Sequence, residues 1–327
     1  MSNLERQPEE GDLGGAVDVA QTPVHEVLVG REVVLGGTRA MAVTRTLPHK
    51  HRRMVGAWCF LDHFGPDEVR EDRGMLVPPH PHTGLQTVTW LIEGEVHHLD
   101  SLGSSQLIRP GQLNLMTAGP AIAHAEQSPP GHARRLHGVQ LWVALPGAYQ
   151  QVTPAFEHHA DLPVLREPGV TTTVLMGTHG PATSPATTYS PLVGAEVILD
   201  AGATARLPLE PSFEHAVQVV AGEVSVDREA VAPGTLVYLG SDRDAVEVSG
   251  DQPARVLLLG GEPFEEEIVM WWNFVGRSHE DIVRARDVWM SGLTEPGPFG
   301  RVDGFDGDPL PAPPMPATRL KPRGRLR

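Results

Sequence analysis

One phrase occurs twice in this chain. Trp90-Leu-Ile-Glu-Gly-Glu-Val96 returns as Gln218-Val-Val-Ala-Gly-Glu-Val224, and Arg109-Pro-Gly-Gln-Leu113, a little further on, is echoed at a similar distance by Ala232-Pro-Gly-Thr-Leu236. In both copies a β-prone run meets a glycine turn, so the repeated unit is a β module. At 327 residues the chain exceeds one typical core and suits two domains.

The runs around those phrases agree. Val27-Leu-Val29, Glu32-Val-Val-Leu35, Gln86 to Ile92, Glu95 to Leu99, Gln106 to Ile108 and Gln140 to Val143 read as strands, with Gly or Pro at many junctions. A second series follows at Thr171 to Leu175, Ala195 to Leu199, Ala216 to Val220 and Arg255 to Leu259. Short strands without helical spacers indicate sandwiches or barrels. The expected division is a flexible acidic N-terminus over 1–20, a first barrel over 21–150, a Pro-punctuated connector over 151–170, a second barrel over 171–290 and a Pro- and Arg-rich tail over 291–327. Ser278 as N-cap, acidic residues behind it, and Ile282, Ala285 and Trp289 at helical spacing predict a helix. The tail, with Arg319, Lys321, Arg323, Arg325 and Arg327, is expected to be solvated and flexible.

A net charge of -15 opposes nonspecific attraction to nucleic acid or anionic membrane. No run approaches the ~20 apolar residues of a membrane span, and Met1-Ser-Asn-Leu-Glu-Arg6 lacks signal-peptide features. The expectation is a cytoplasmic monomer without direct nucleic-acid or membrane partners. A lone cysteine, Cys59, permits no internal disulfide or thiolate cluster, and its apolar neighbours make it a packing residue.

Any metal must therefore rest on nitrogen and oxygen. Alternate strand residues share a face, so His80 pairs with His82, and His124 with Glu126. Three imidazoles and a carboxylate suit iron, nickel, manganese, cobalt, copper or zinc far better than calcium or magnesium. Pro81 cannot donate to a ladder, which places the pair at an edge, bulge or rim. His49-Lys-His51 shows the same spacing between Pro48 and Arg52 and reads as a polar loop.

The spacing Gly74-x5-His80-x-His82-x4-Thr87-x6-Gly94 matches the first cupin signature, with Thr87 replacing its glutamate. Within cupins the chain resembles the pirins. The residues that carry the resemblance are His80 to Val96, Asp100 to Gly103, Ile108 to Gly111, Met116 to Gly119, Ile122 to Glu126 and Leu136 to Val143. Arg52 to Gly56 and Asp62 to Pro66 also fit. The resemblance implies an all-β fold of two tandem cupin barrels (double-stranded β-helix or jelly-roll) with few short helices. It implies one divalent transition metal, iron(II) foremost, in the first barrel only, with His80, His82, His124 and Glu126 as ligands.

It further implies quercetin (flavonol) 2,4-dioxygenase activity, using dioxygen and releasing carbon monoxide, with Glu126 as the catalytic proton acceptor. The alternative is a redox-responsive metal-binding regulatory protein acting through a transcription regulator or metabolic enzyme. Gln86 and Thr83 depart from residues frequent in pirins and bear on pocket polarity. His97 and His98 face opposite ways and are read as structural, His137 as a packing residue, and His158-His159 as exposed. Phe213-Glu-His215 offers no second ligand pair, and Trp271-Trp272 reads as core packing.

Overall fold

The β-branched and leucine-rich runs fold as antiparallel strands, in a computed structural model that describes residues 25–35, 41–68, 74–294 and 297–325. The expected flexible segment 1–20 lies outside the described residues. In the first barrel the larger sheet runs Ala155–His159, Leu113–Thr117, Leu85–Glu93, Arg135–Ala144, Trp58–Glu68, Met41–Leu47, Arg31–Leu35. Its smaller sheet runs Leu76–His82, Ile122–Gln127, Val96–Asp100, Ser105–Ile108.

The second barrel repeats this plan. Glu26–Val29, Thr235–Gly240, Glu214–Ala221, Ala254–Gly261, Leu192–Leu199, Val170–His179 and Val164–Glu167 form its large sheet; Thr204–Pro208, Ala245–Ser249, Val224–Val226 and Glu229–Val231 form the small one. The echoed phrases mark the same turn. Gly94 and Gly222 take φ of 90° and 73°. A Cβ on either would stand 2.5 Å from a facing carbonyl, that of Arg135 or Pro253. Only glycine satisfies both constraints.

The modules are not contiguous in sequence. Glu26–Val29, expected with the first barrel, pairs with Thr235–Gly240 of the second, and Arg31–Leu35 returns to the first. Residues 151–170 also carry strands: Ala155–His159 extends the first barrel beside Leu113–Thr117, and Val164–Glu167 begins the second. Flanking prolines hide these short runs in the sequence. His158 and His159, read as exposed, are half-buried, and His158 Nδ1 lies 2.7 Å from Asn114 Oδ1.

The interiors differ in chemistry. Val197, Leu199, Val217, Val219, Val256 and Leu258 pack within the second barrel. The first buries an Arg45–Asp62 pair, and Thr89 donates to Gln140 at 3.0 Å. Between barrels one apolar cluster joins Trp58, Trp90 and Leu141 to Leu192, Leu236 and Leu257.

The predicted helix spans His279–Gly292. Ser278 Oγ accepts from the Asp281 backbone N–H while Asp281 accepts from that of Ser278, a reciprocal cap. Ile282 and Trp289 are buried. The tail beyond it, expected to be solvated, packs instead. Trp289 Nε1–H donates to the Leu310 carbonyl and the Leu310 N–H to that of Pro79, each at 2.8 Å. Phe299, Val302 and Ala312 are buried with Trp271, Trp272 and Phe274 against Ala123 and Ala125. A proline-rich extended strap has few backbone donors to satisfy, so scattered apolar side chains suffice to hold it.

Candidate metal centre

Two adjacent strands carry the predicted ligands. His124 stands opposite His80 in the antiparallel ladder, and an irregularity after His124 brings Glu126 opposite Val77. On the other side His124 faces Asp100 and Glu126 faces His98. Alternation turns these polar side chains to one face and sends Ala123, Ala125 and Leu99 into the outer aromatic cluster. Pro81 lies on the outermost strand of this sheet, where its missing N–H breaks no ladder.

The ligand atoms of His80, His82 and His124 all lie within 4.8 Å of one another. Glu126 joins an overlapping group with His98 and His124. Of the expected four, His80, His82 and His124 share one triad, whereas Glu126 meets only His124 among them, in a second triad completed by His98. His80 and His82 are 0% exposed, His124 and Glu126 1%. His82 Nε2 lies 3.1 Å from His124 Nε2. His80 Nδ1–H donates to the Pro78 carbonyl at 2.8 Å, which leaves Nε2 as its lone-pair nitrogen. That Nε2 is buried without a hydrogen-bond partner.

Burial depresses all three imidazoles. It holds His80 near about 4 despite the Pro78 bond, and it pushes His82 and His124 well below their ordinary value, with neighbouring imidazoles adding to the effect. At neutral pH they are uncharged lone-pair donors. A partnerless buried nitrogen among two further imidazoles and a carboxylate fits a divalent metal of borderline softness, not a hydrogen-bonded polar cluster alone.

An aromatic wall backs the centre. His82 meets Trp142 edge-on at 5.3 Å, Trp142 stacks on Phe60 at 4.0 Å, and the Arg45 guanidinium sits 4.5 Å over Phe60.

His98 and Asp100 escaped sequence reasoning as members of the site. His97 turns outward to Ser105 Oγ at 2.8 Å, whereas His98 is 3% exposed, with Nδ1 3.3 Å from His124 Nδ1 and Nε2 3.3 Å from Asp100 Oδ2. Asp100 is held below the ordinary carboxylate range: burial opposes this, and bonds from His98 and Ser104 outweigh it. The period-two step from His98 to Asp100 was visible; the strand beside it was not. His137 pairs with His63 through Nε2 atoms 2.8 Å apart, as a packing residue would. Gln86 donates to Thr117 and the Thr187 carbonyl, and Thr83 to the Val275 carbonyl, so neither bonds the cluster. In the second barrel, Glu214 accepts from the Gly56 N–H, the Tyr238 hydroxyl and Arg325.

Fold and donor set define a two-barrel cupin with a buried nitrogen-and-oxygen centre in its first barrel. Residues 38–143 match the family model Pirin, and residues 194–294 that of the Pirin C-terminal cupin domain. The chain belongs to the pirin family. It is 47% identical over 318 residues to a Pseudomonas aeruginosa protein provisionally named quercetin 2,3-dioxygenase, covering 97% of this chain and 98% of that one. Human Pirin is 31% identical over 228 residues, 67% of this chain and 78% of its own length. The crystal structure of quercetin 2,3-dioxygenase from Acinetobacter baumannii superposes with a TM-score of 0.85 at 41% identity, over 90% of this chain and 97% of that one. Among the described residues no helix is long and apolar enough to cross a membrane.

Proposed function

We propose that this chain is a metal-dependent quercetin (flavonol) 2,4-dioxygenase, the type of activity its relatives' names give as 2,3. It would use dioxygen and release carbon monoxide. One divalent transition metal, iron(II) foremost, would be held by His80, His82, His124 and Glu126, a set also open to nickel, manganese, cobalt, copper or zinc. The observation that carries this reading is the buried, partnerless Nε2 of His80 beside the close His82–His124 pair. The names of the 47% and 41% identical relatives point to the same substrate class.

Bound there, a divalent metal supplies Lewis acidity toward a flavonol hydroxyl and a redox partner for dioxygen. The protein supplies the rest. Glu126 accepts the hydroxyl proton, since its carboxylate shares the buried triad with His98 and His124. Trp142, edge-on to His82, gives the centre an apolar neighbour suited to a planar aromatic substrate. The Pro78 carbonyl fixes His80's ring, and near-complete burial limits water around the reacting anion.

The test begins with elemental analysis of protein purified without added metal. Anaerobic quercetin should then shift the flavonol absorption, and admitted oxygen should release carbon monoxide in proportion to substrate lost. Metal retention without turnover of any flavonol would turn the reading to a regulatory protein acting through a protein partner. Failure to retain any of the six metals would remove both readings.

A further inference from the structure

We infer that Asp100 and His98 form a positioning relay that sets the tautomer of His124, so that its Nε2 lone pair faces the metal centre. The inference rests on the metal-centre reading above. Asp100 Oδ1 accepts from the backbone N–H groups of Leu102 and Ser104, both at 2.9 Å. That leaves Oδ2 for His98 Nε2, 3.3 Å away.

An ionised carboxylate only accepts, so His98 Nε2 is the donor. A neutral imidazole carries one N–H, and His98 Nδ1 is therefore the acceptor. Its partner, 3.3 Å away, is His124 Nδ1, which must donate. His124 Nε2 is then bare, and this is the atom 3.1 Å from His82 Nε2. Phe156 stacks on the His98 ring at 4.4 Å and 14° and holds its plane. His80 reaches the same tautomer by another route, the Pro78 carbonyl. Both devices expose Nε2, and groups of this kind commonly govern metal affinity by about 10–100-fold.

Asp100→Asn isolates the relay. The amide oxygen keeps the two backbone bonds, while the amide nitrogen replaces an acceptor with a donor. His98 Nε2 must then accept, its Nδ1 donates, and His124 is driven to carry its proton on Nε2. Nitrogen-15 NMR of histidine-labelled, metal-free protein should show His124 protonated at Nδ1 in the wild type and at Nε2 in D100N. With zinc(II) as the probe in chelator competition, D100N should bind about 10–100-fold more weakly. His98→Phe keeps the ring on Phe156 and removes both nitrogens; the same weakening is expected there, and it serves if D100N does not fold.

An unchanged His124 tautomer in D100N, or zinc affinity within about twofold of wild type in both variants, would overturn the relay. So would a zinc-induced nitrogen shift showing His98 itself to be a ligand. Wild-type protein that binds no metal would sink the metal centre alone, because the tautomer measurement still decides the relay.

Discussion

Trp58 lies against Gly194 so closely that a Cβ on the glycine would stand 2.8 Å from the indole Cζ2. The same indole donates its N–H to the carbonyls of Val193 and Gly260, at 3.1 Å each. One ring from the first barrel thus fills the seam with the second and satisfies two of its backbone acceptors. Gly194→Ala should displace the ring and lower stability by about 1–3 kcal/mol, seen as an earlier urea midpoint. An unmoved midpoint would show that the seam yields freely.

Replacing His80, His82 or His124 with alanine should each reduce metal content, measured by elemental analysis after identical purification. Full occupancy in any of the three would remove that residue from the ligand set. Glu126→Gln should retain more metal than the histidine variants yet lose about 10²–10⁴-fold in flavonol turnover. Equal loss of metal and turnover would make Glu126 a ligand only.

The His63–His137 pair predicts an acid-sensitive fold. Burial holds His63 down at about 4, and burial together with its partner does the same to His137. Above the ordinary histidine value, 6.5, neither folded nor unfolded chains carry these protons. Between that value and about 4 the unfolded chain binds protons that the folded one refuses, so stability falls as pH falls. Urea midpoints at several pH values should show a shallower slope for His63→Gln/His137→Gln than for wild type. Parallel slopes would refute the assignment.

Cys59 is buried, and burial pushes its thiol up to about 12. Native protein should resist iodoacetamide at neutral pH, with one equivalent of thiol appearing only on unfolding. Prompt labelling of folded protein, followed by mass spectrometry, would contradict this.

The shared face of His80 and His82 and the helix cap are legible because each depends on spacing within one segment. His80 and His82 share a face by alternation, and Ser278 and Asp281 meet within a single turn. His98 and Asp100 were not legible as members of the site, because alternation fixes a face and says nothing of the neighbouring strand. Only the register of His124 with Asp100 joins them to it. Val27-Leu-Val29 reads as a strand in whichever sheet receives it. The packing of the tail is hidden in the sequence for a related reason: Phe299, Val302 and Leu310 follow no helix or strand period, so their burial depends on the aromatic cluster they meet.

The crossing of Glu26–Val29 bears on biosynthesis. This segment leaves the ribosome early, whereas Thr235–Gly240, its neighbour in the finished sheet, is translated late. The second barrel acquires its outermost strand only when most of the polypeptide exists, so the two halves must mature together. A gene divided at its midpoint would yield one product with an orphaned ribbon and another with a bare sheet border, both prone to self-association.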